Sequence, residues 1–310
     1  MSVMRKALLA ASTNPWLRDR ATRTSFVRRS VSRFMPGERI EDALGAARQL
    51  KGDGITTIVT RLGENVTSAE EADAVTHHYL EVLDLIAQSG LDAQVSVKPT
   101  QLGLDIDREL CARNLERLLV RAAAHENSVV WVDMESSPYV DPTLDLVRRA
   151  RSTTSRIGVA LQAYLRRTEA DLESLIPTGI AVRIVKGAYL EPPEVAFPRK
   201  ADTDENFYRL CTRALAGDAR KVGVLLHIGT HDIALADRLR GFIAQEGIPT
   251  SAYEFAMLYG IQRGQQLKLA REGERLRVLI SYGEYWFPWY MRRLAERPAN
   301  VWFVVRTMFG

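Results

Sequence analysis

The chain contains only two cysteines, Cys111 and Cys211, set a hundred residues apart. That excludes a disulfide framework and a CxxC metal clamp, and favours a reducing, cytoplasmic setting. No apolar run approaches the roughly 20 residues that span a bilayer, so any membrane association is expected to be peripheral, at the inner face. No long Pro, Gly or Ser tract is present, which argues against disorder. No GxGxxG stands at a strand-to-helix turn, so a Rossmann dinucleotide site is not supported. Neither a GxSxG elbow nor an activated-cysteine motif is present, which agrees with chemistry that needs no serine or cysteine nucleophile. Charge of one sign is scarce as well: 42 Lys and Arg against 38 Asp and Glu leave a net +4. Such a bias suits an anionic substrate, cofactor or membrane surface, and is too small to argue for nucleic acid.

What remains is an ordinary globular composition, 46% apolar and 26% charged over 310 residues. The length fits one β/α barrel of about 250 residues with an extra helical piece. From about Gly54 onward, short β-branched runs alternate with longer helical patterns, as in consecutive βαβ units. Strands are predicted at Ile55 to Thr60, Gln94 to Lys98, Ser128 to Asp133, Gly158 to Gln162, Ala181 to Lys186, Gly223 to His227, Thr250 to Phe255 and Arg277 to Tyr282. Eight is the number of a (β/α)8 TIM-like barrel. Helical periodicity fills the intervals, for example over 69–89, 107–125 and 137–151.

The barrel domain is expected over 51–310, with a helical arm over 1–50. Arg5, Arg18, Arg20, Arg23, Arg28, Arg29 and Arg33 precede almost any acid, as in an organelle transit peptide. The plainer reading is an amphipathic arm with Ala7, Leu8, Leu9, Trp16, Leu17 and Phe26 on its apolar face, ended by Met35-Pro36-Gly37.

Polar residues recur where the strands end: Lys98, Asp133, Gln162, Lys186, His227, Glu254 and Tyr282. In a β/α barrel these ends converge on one mouth, where chemistry is done. Taken singly, Lys98 or Asp133 reads as a buried pair or loop anchor; together the seven point to an active site. Arg183 and Lys186 could equally be a salt-bridged strand end. His227 and His231 have a spacing that binds metal only on a helix face, and here strand runs into loop, so no metal is expected.

Seven segments then stand in a familiar order: Val95 to Gly103, Asp133-Met-Glu135, Leu161 to Leu165, Arg183 to Tyr189, Thr230-His-Asp232, Phe255 to Gly260 and Tyr282 to Asn300. In these segments the chain resembles the proline dehydrogenase family over nearly its whole length. The resemblance implies a distorted barrel that binds FAD non-covalently, with the last helix over its mouth. It implies FAD contacts from Gln162, Arg183, Val185, Lys186, Gly187, Thr230 and His231. Cations there would stabilise the anionic reduced ring, and Gly187 would let backbone approach a planar group. Lys98, Arg292 and Arg293 are expected to hold the substrate carboxylate. Glu296, three and four residues beyond the arginines, is placed to brace both. Asp133 is expected to pair with Lys98. Ala188, Tyr189, Leu258, Leu279 and Trp289 are expected to form the substrate pocket.

The implied reaction is oxidation of L-proline, a small cyclic amino acid, to Δ1-pyrroline-5-carboxylate by hydride transfer to flavin N5. A membrane quinone would accept the electrons, and pyrroline-5-carboxylate dehydrogenase would act next. The chain stops at Gly310 without a second catalytic domain, so a single-function enzyme is expected. Two positions depart from the family pattern: Leu279 and Trp289 replace tyrosines. The swap either preserves an apolar wall or reshapes the pocket for another cyclic or N-substituted amino acid. Two rivals stay open. Lys98 or Lys186 could form a Schiff base, as in aldolase-type barrels, or the barrel could bind a ligand without turnover.

Overall fold

A computed structural model describes residues 31–125, 128–287 and 289–291. The apolar arm residues Ala7 to Phe26 lie outside them, as do Arg292, Arg293 and Glu296. Helix α1 (Ile40–Gly52) leads into β1 (Thr56–Arg61), α2 (Ala69–Ser89), β2 (Ala93–Val97), α3 (Arg108–Ala123), β3 (Val130–Val132), α4 (Val140–Arg151) and β4 (Ile157–Gln162). Then follow α5 (Thr168–Leu175), β5 (Ala181–Val185), α6 (Lys200–Ala214), α7 (Gly217–Lys221), β6 (Leu226–Gly229), α8 (Ile233–Gln245), β7 (Tyr253–Leu258), α9 (Arg263–Arg271) and β8 (Leu276–Tyr282). Residues 286, 287 and 289–291 are again helical.

The eight strands close in sequence order into a parallel barrel, with β8 returning to β1 through six paired positions. This is the (β/α)8 fold expected from the alternating pattern. Strands so enclosed are apolar on both faces: all five residues of β2 and all six of β4 are buried. The helices start where side chains can cap them. Ser68 Oγ accepts from Glu71 N at 3.2 Å ahead of α2, and Asp107 accepts from Glu109 N at 2.8 Å ahead of α3.

Two strands begin three residues later than predicted. Gly223, at φ +94°, closes the turn after α7, and Val224 N still donates to Ala219 O at 3.1 Å, so β6 starts at Leu226. Pro249 leads into a short 3₁₀ turn, Thr250–Ala252, and β7 starts at Tyr253. His227 and Glu254 are therefore second residues of their strands, near the barrel floor and away from the mouth.

That floor is charged and filled. Arg277 Nε donates to Glu254 Oε2 at 2.6 Å, Arg277 Nη1 donates to Asp92 Oδ1 at 2.9 Å, and Arg275 also pairs with Glu254. His227 Nε2 lies 3.4 Å from Glu254 Oε2 without the geometry of a hydrogen bond. Tyr282 ends β8 as predicted but points outward, its hydroxyl 2.8 Å from His78 Nε2 on α2. The alternation of a strand decides this: Arg277, Leu279 and Ser281 face the interior, so Tyr282 cannot.

The stretch before α1 crosses to the other end of the chain. Arg33 O occupies the space beside Gly260, where a Cβ would lie 1.5 Å from it. Glu38 Oε1 accepts from Trp286 Nε1 at 3.1 Å, and the Phe34 and Tyr290 rings are 6.4 Å apart.

Candidate active site

A cavity of about 780 Å³ occupies the barrel mouth and reaches down to Arg277. Lys98, Asp133, Gln162, Arg183, Val185, Lys186 and Gly187 line it, as do Ala188, Tyr189, Thr230, His231, Leu258, Leu279 and Trp289. The strand ends deliver most of these. Lys98 follows β2 and leads into a 3₁₀ turn begun by Pro99. Gln162 ends β4, and its Nε2 donates to Glu135 O at 2.8 Å. Leu279 faces inward from β8, and Trp289 comes from the last helical residues among those described. The two join Ile58 and Leu258 in an apolar wall.

Asp133 takes a different partner from the one expected. It pairs with Arg183 Nη2, and Ser96 Oγ both donates to Asp133 Oδ1 at 2.9 Å and lies 3.0 Å from Arg183 Nη2. No ion pair of Lys98 is present among the described residues. The physical reason is position: Asp133 follows β3 and faces Arg183 across the barrel interior, where burial makes the guanidinium the more demanding cation. Burial also draws the Arg183 group below its ordinary pKa, against the pull of Asp133. The other amino group, Nη1, is buried without a hydrogen-bond partner among the described residues.

Lys186 is held by two carboxylates, Asp204 Oδ1 at 2.5 Å and Asp232 Oδ2 at 2.9 Å, and Lys200 pairs with the same two. Lys186 first, and then Lys200, hold the Asp232 carboxyl down to about 2. Asp232 also caps α8, its Oδ1 accepting from Leu235 N. The sequence had raised a salt-bridged strand end for this lysine, and the square of two lysines and two aspartates has that character. His231 Nε2 accepts from Leu258 N at 3.2 Å, which assigns the ring proton to Nδ1. Gly187 is required by a neighbouring side chain: at φ +111° a Cβ would lie 2.2 Å from the Tyr164 ring.

Beneath Lys98, Glu135 accepts from Thr100 N at 3.1 Å and from Thr100 Oγ1 at 2.7 Å. Burial raises its carboxyl to about 7, opposed by the two Thr100 hydrogen bonds and the Lys98 charge. Thr100 Oγ1 in turn accepts from Asn65 N at 3.2 Å, and Gln101 Nε2 donates to Arg61 O and Gly63 O at 3.0 and 2.7 Å. Sequence reasoning missed Ser96, Thr100, Glu135, Lys200 and Asp204. Ser96, Thr100 and Glu135 stood inside the motif segments Val95 to Gly103 and Asp133 to Glu135; Lys200 and Asp204 carried no pattern of their own.

The arrangement suits a bound dinucleotide-sized, partly anionic group. The buried unpaired Nη1 of Arg183 is a donor that an acceptor atom of such a group would satisfy. The volume also lies within the range of cofactor sites.

Comparison with known proteins agrees along the chain. A family model described as proline dehydrogenase matches residues 43–306. Proline dehydrogenase 2 of Bacillus subtilis (strain 168) is 37% identical over 279 residues, 90% of each chain. Proline dehydrogenase of Deinococcus radiodurans is 35% identical over 309 residues, 98% of this chain and 97% of that one. Among solved structures, proline utilization A from Bdellovibrio bacteriovorus, inactivated by N-propargylglycine, superposes with a TM-score of 0.80 at 23% identity. It is matched over 87% of this chain and 32% of its own, a likeness of fold.

Proposed function

We propose, from the premise that this chain belongs to the proline dehydrogenase family, that it oxidises L-proline to Δ1-pyrroline-5-carboxylate with FAD held in the barrel mouth. The observation that carries this reading is the cavity itself. It gathers a buried guanidinium with an open donor, a lysine without an ion pair among the described residues, and an apolar wall. When bound, FAD supplies a two-electron acceptor at its ring N5.

The residues divide the work by position. Arg183 is fixed through Nη2 by Asp133 and Ser96 and would offer Nη1 to an acceptor on the cofactor ring. Gln162, Val185, Lys186, Gly187, Thr230 and His231 would surround the rest of the cofactor. Lys98 offers a positive charge to the substrate carboxylate, and Arg292 and Arg293 would complete that clamp with Glu296 bracing them. Glu135 and Thr100 hold the Lys98 turn from below. Ile58, Leu258, Leu279 and Trp289 press the ring from its apolar side, with Ala188 and Tyr189 beside them, and exclude water. The carbon beside nitrogen gives up a hydride and the nitrogen a proton, leaving a C=N bond. A quinone in a membrane surface would take the electrons, and pyrroline-5-carboxylate dehydrogenase would take the product. Among the described residues no helix is long and apolar enough to cross a membrane.

Anaerobic titration of the purified protein with proline tests the reading. The flavin absorption should bleach on addition, and acid precipitation should release free FAD. A protein that is colourless and cannot be loaded with FAD would refute it, and so would trapping of substrate on Lys98 or Lys186 by borohydride.

A further inference from the structure

Below the site, the barrel interior holds an aromatic arrangement that the reaction as described leaves without a role. Trp131, on β3, is fully buried. Its Nε1 donates to Gln94 Oε1 at 2.7 Å. On the paired strand β4, Gly158 leaves it room, since a Cβ there would lie 2.7 Å from the ring. His227 stacks on it, with centroids 4.1 Å apart and planes tilted by 36°. The Arg183 guanidinium carbon stands 5.0 Å from the ring centroid, within cation–π range.

These contacts have a common effect. Both polar contacts of Arg183, to Asp133 and Ser96, are made through Nη2. Hydrogen bonds at one end leave a planar group free to swing, and an aromatic face beneath it removes that freedom. The ring itself cannot shift, being hydrogen-bonded at its nitrogen and fitted to a glycine. Desolvation, followed by the charges of Arg277, Arg183 and Arg275, holds His227 well below its ordinary pKa. A neutral imidazole completes the stack without adding a second cation beside Arg183.

We propose that Trp131 is a positioning residue for Arg183: the locked indole holds the guanidinium at the cavity wall with Nη1 presented to the flavin ring. The inference rests on the reading of the cavity as the FAD site. A cation fixed beside the ring stabilises the anionic reduced form and raises the reduction potential. A cation free to swing does so less.

The test is the midpoint potential of the bound flavin in the full-length holoenzyme, measured against a reference dye, with flavin content determined alongside. Trp131→Leu removes the aromatic face, and the equilibrium constant for flavin reduction should fall about tenfold, which for a two-electron couple is about 30 mV. Trp131→Phe keeps a face and should stay within about twofold of the parent. Gln94→Leu leaves the ring but frees its nitrogen, and should shift the potential in the same direction as Trp131→Leu by a smaller factor. A fully loaded Trp131→Leu protein with an unshifted potential overturns the proposal, as does Trp131→Phe falling as far as Leu. Should Trp131→Leu not retain flavin, Gln94→Leu decides alone, and an unshifted potential there overturns it. A parent protein that binds no flavin fails differently, removing the FAD reading and this inference together.

Discussion

Removing Asp133 should harm the protein more than removing the arginine it pairs with. The asymmetry follows from burial: the Arg183 side chain is 5% exposed and that of Asp133 is 21% exposed. In Asp133→Ala the guanidinium stays almost wholly buried, with Ser96 Oγ at 3.0 Å as the oxygen left beside Nη2. Stranding a buried charge costs about 3 to 5 kcal/mol. The surviving Ser96 contact, itself a hydrogen bond to a charged group, reduces the expected loss to about 2 to 3 kcal/mol. In Arg183→Met the carboxylate that remains can be hydrated, and the loss should be about 1 to 2 kcal/mol. The double variant should therefore be more stable than Asp133→Ala, with a coupling of about 2 kcal/mol between the sites. Urea unfolding of all four proteins, each at two FAD concentrations, separates this term from stabilisation by bound cofactor. An Asp133→Ala variant within about 0.5 kcal/mol of the parent, or one more stable than Arg183→Met, would refute the reasoning.

Three further outcomes are expected. With Leu279 and Trp289 in an apolar wall, 4-hydroxyproline should be a poorer substrate than proline. An unpartnered buried hydroxyl costs about 1 to 3 kcal/mol, or between about fivefold and a hundredfold in kcat/KM; equal turnover of the two would contradict this. Arg292→Met and Arg293→Met should each raise the substrate dissociation constant about tenfold or more with FAD still bound, read from flavin bleaching against proline concentration, and unchanged affinity in both would remove the carboxylate assignment. Glu135 binds its proton more tightly folded, at about 7, than unfolded, at 4.5, so its contribution is full below about pH 4.5 and is lost as pH rises through 7. The stability of the parent relative to Glu135→Gln should thus fall by about 3 kcal/mol across that window and then level off; a difference independent of pH would show that Glu135 titrates normally.

The barrel was legible because its signal is collective. Eight β-branched runs at regular intervals fix the architecture even when single boundaries slip, and the two starts that slipped furthest did so at Gly223 and Pro249, where turn geometry outweighed strand propensity. The placement of residues was legible to the extent that it follows strand ends: fourteen of the seventeen named in advance line one cavity, and the other three, Arg292, Arg293 and Glu296, lie outside the described residues. The failures have two causes. His227 and Glu254 were read at the wrong end of shifted strands, and Tyr282 on the wrong face, since one residue of register reverses a side chain. Which acid meets which base depends on the spacing of strands across a closed sheet. The pairing of Asp133 with Arg183, fifty residues on, and of Lys186 with Asp204 and Asp232 could not be read along the chain.

The packed floor has a consequence for traffic. Arg277, Glu254, His227 and Trp131 plug the lower barrel, so the chamber above them is a blind alley served from the side where the strands end. Among the described residues that floor leaves no passage, so an incoming donor and an incoming acceptor are both expected from the side of the strand ends. If the proposed imine and electron acceptor share that side, the first should leave before the second comes near, and turnover should alternate between two half-visits. Initial rates at several fixed acceptor concentrations should then give parallel double-reciprocal lines, the signature of a chamber with one door.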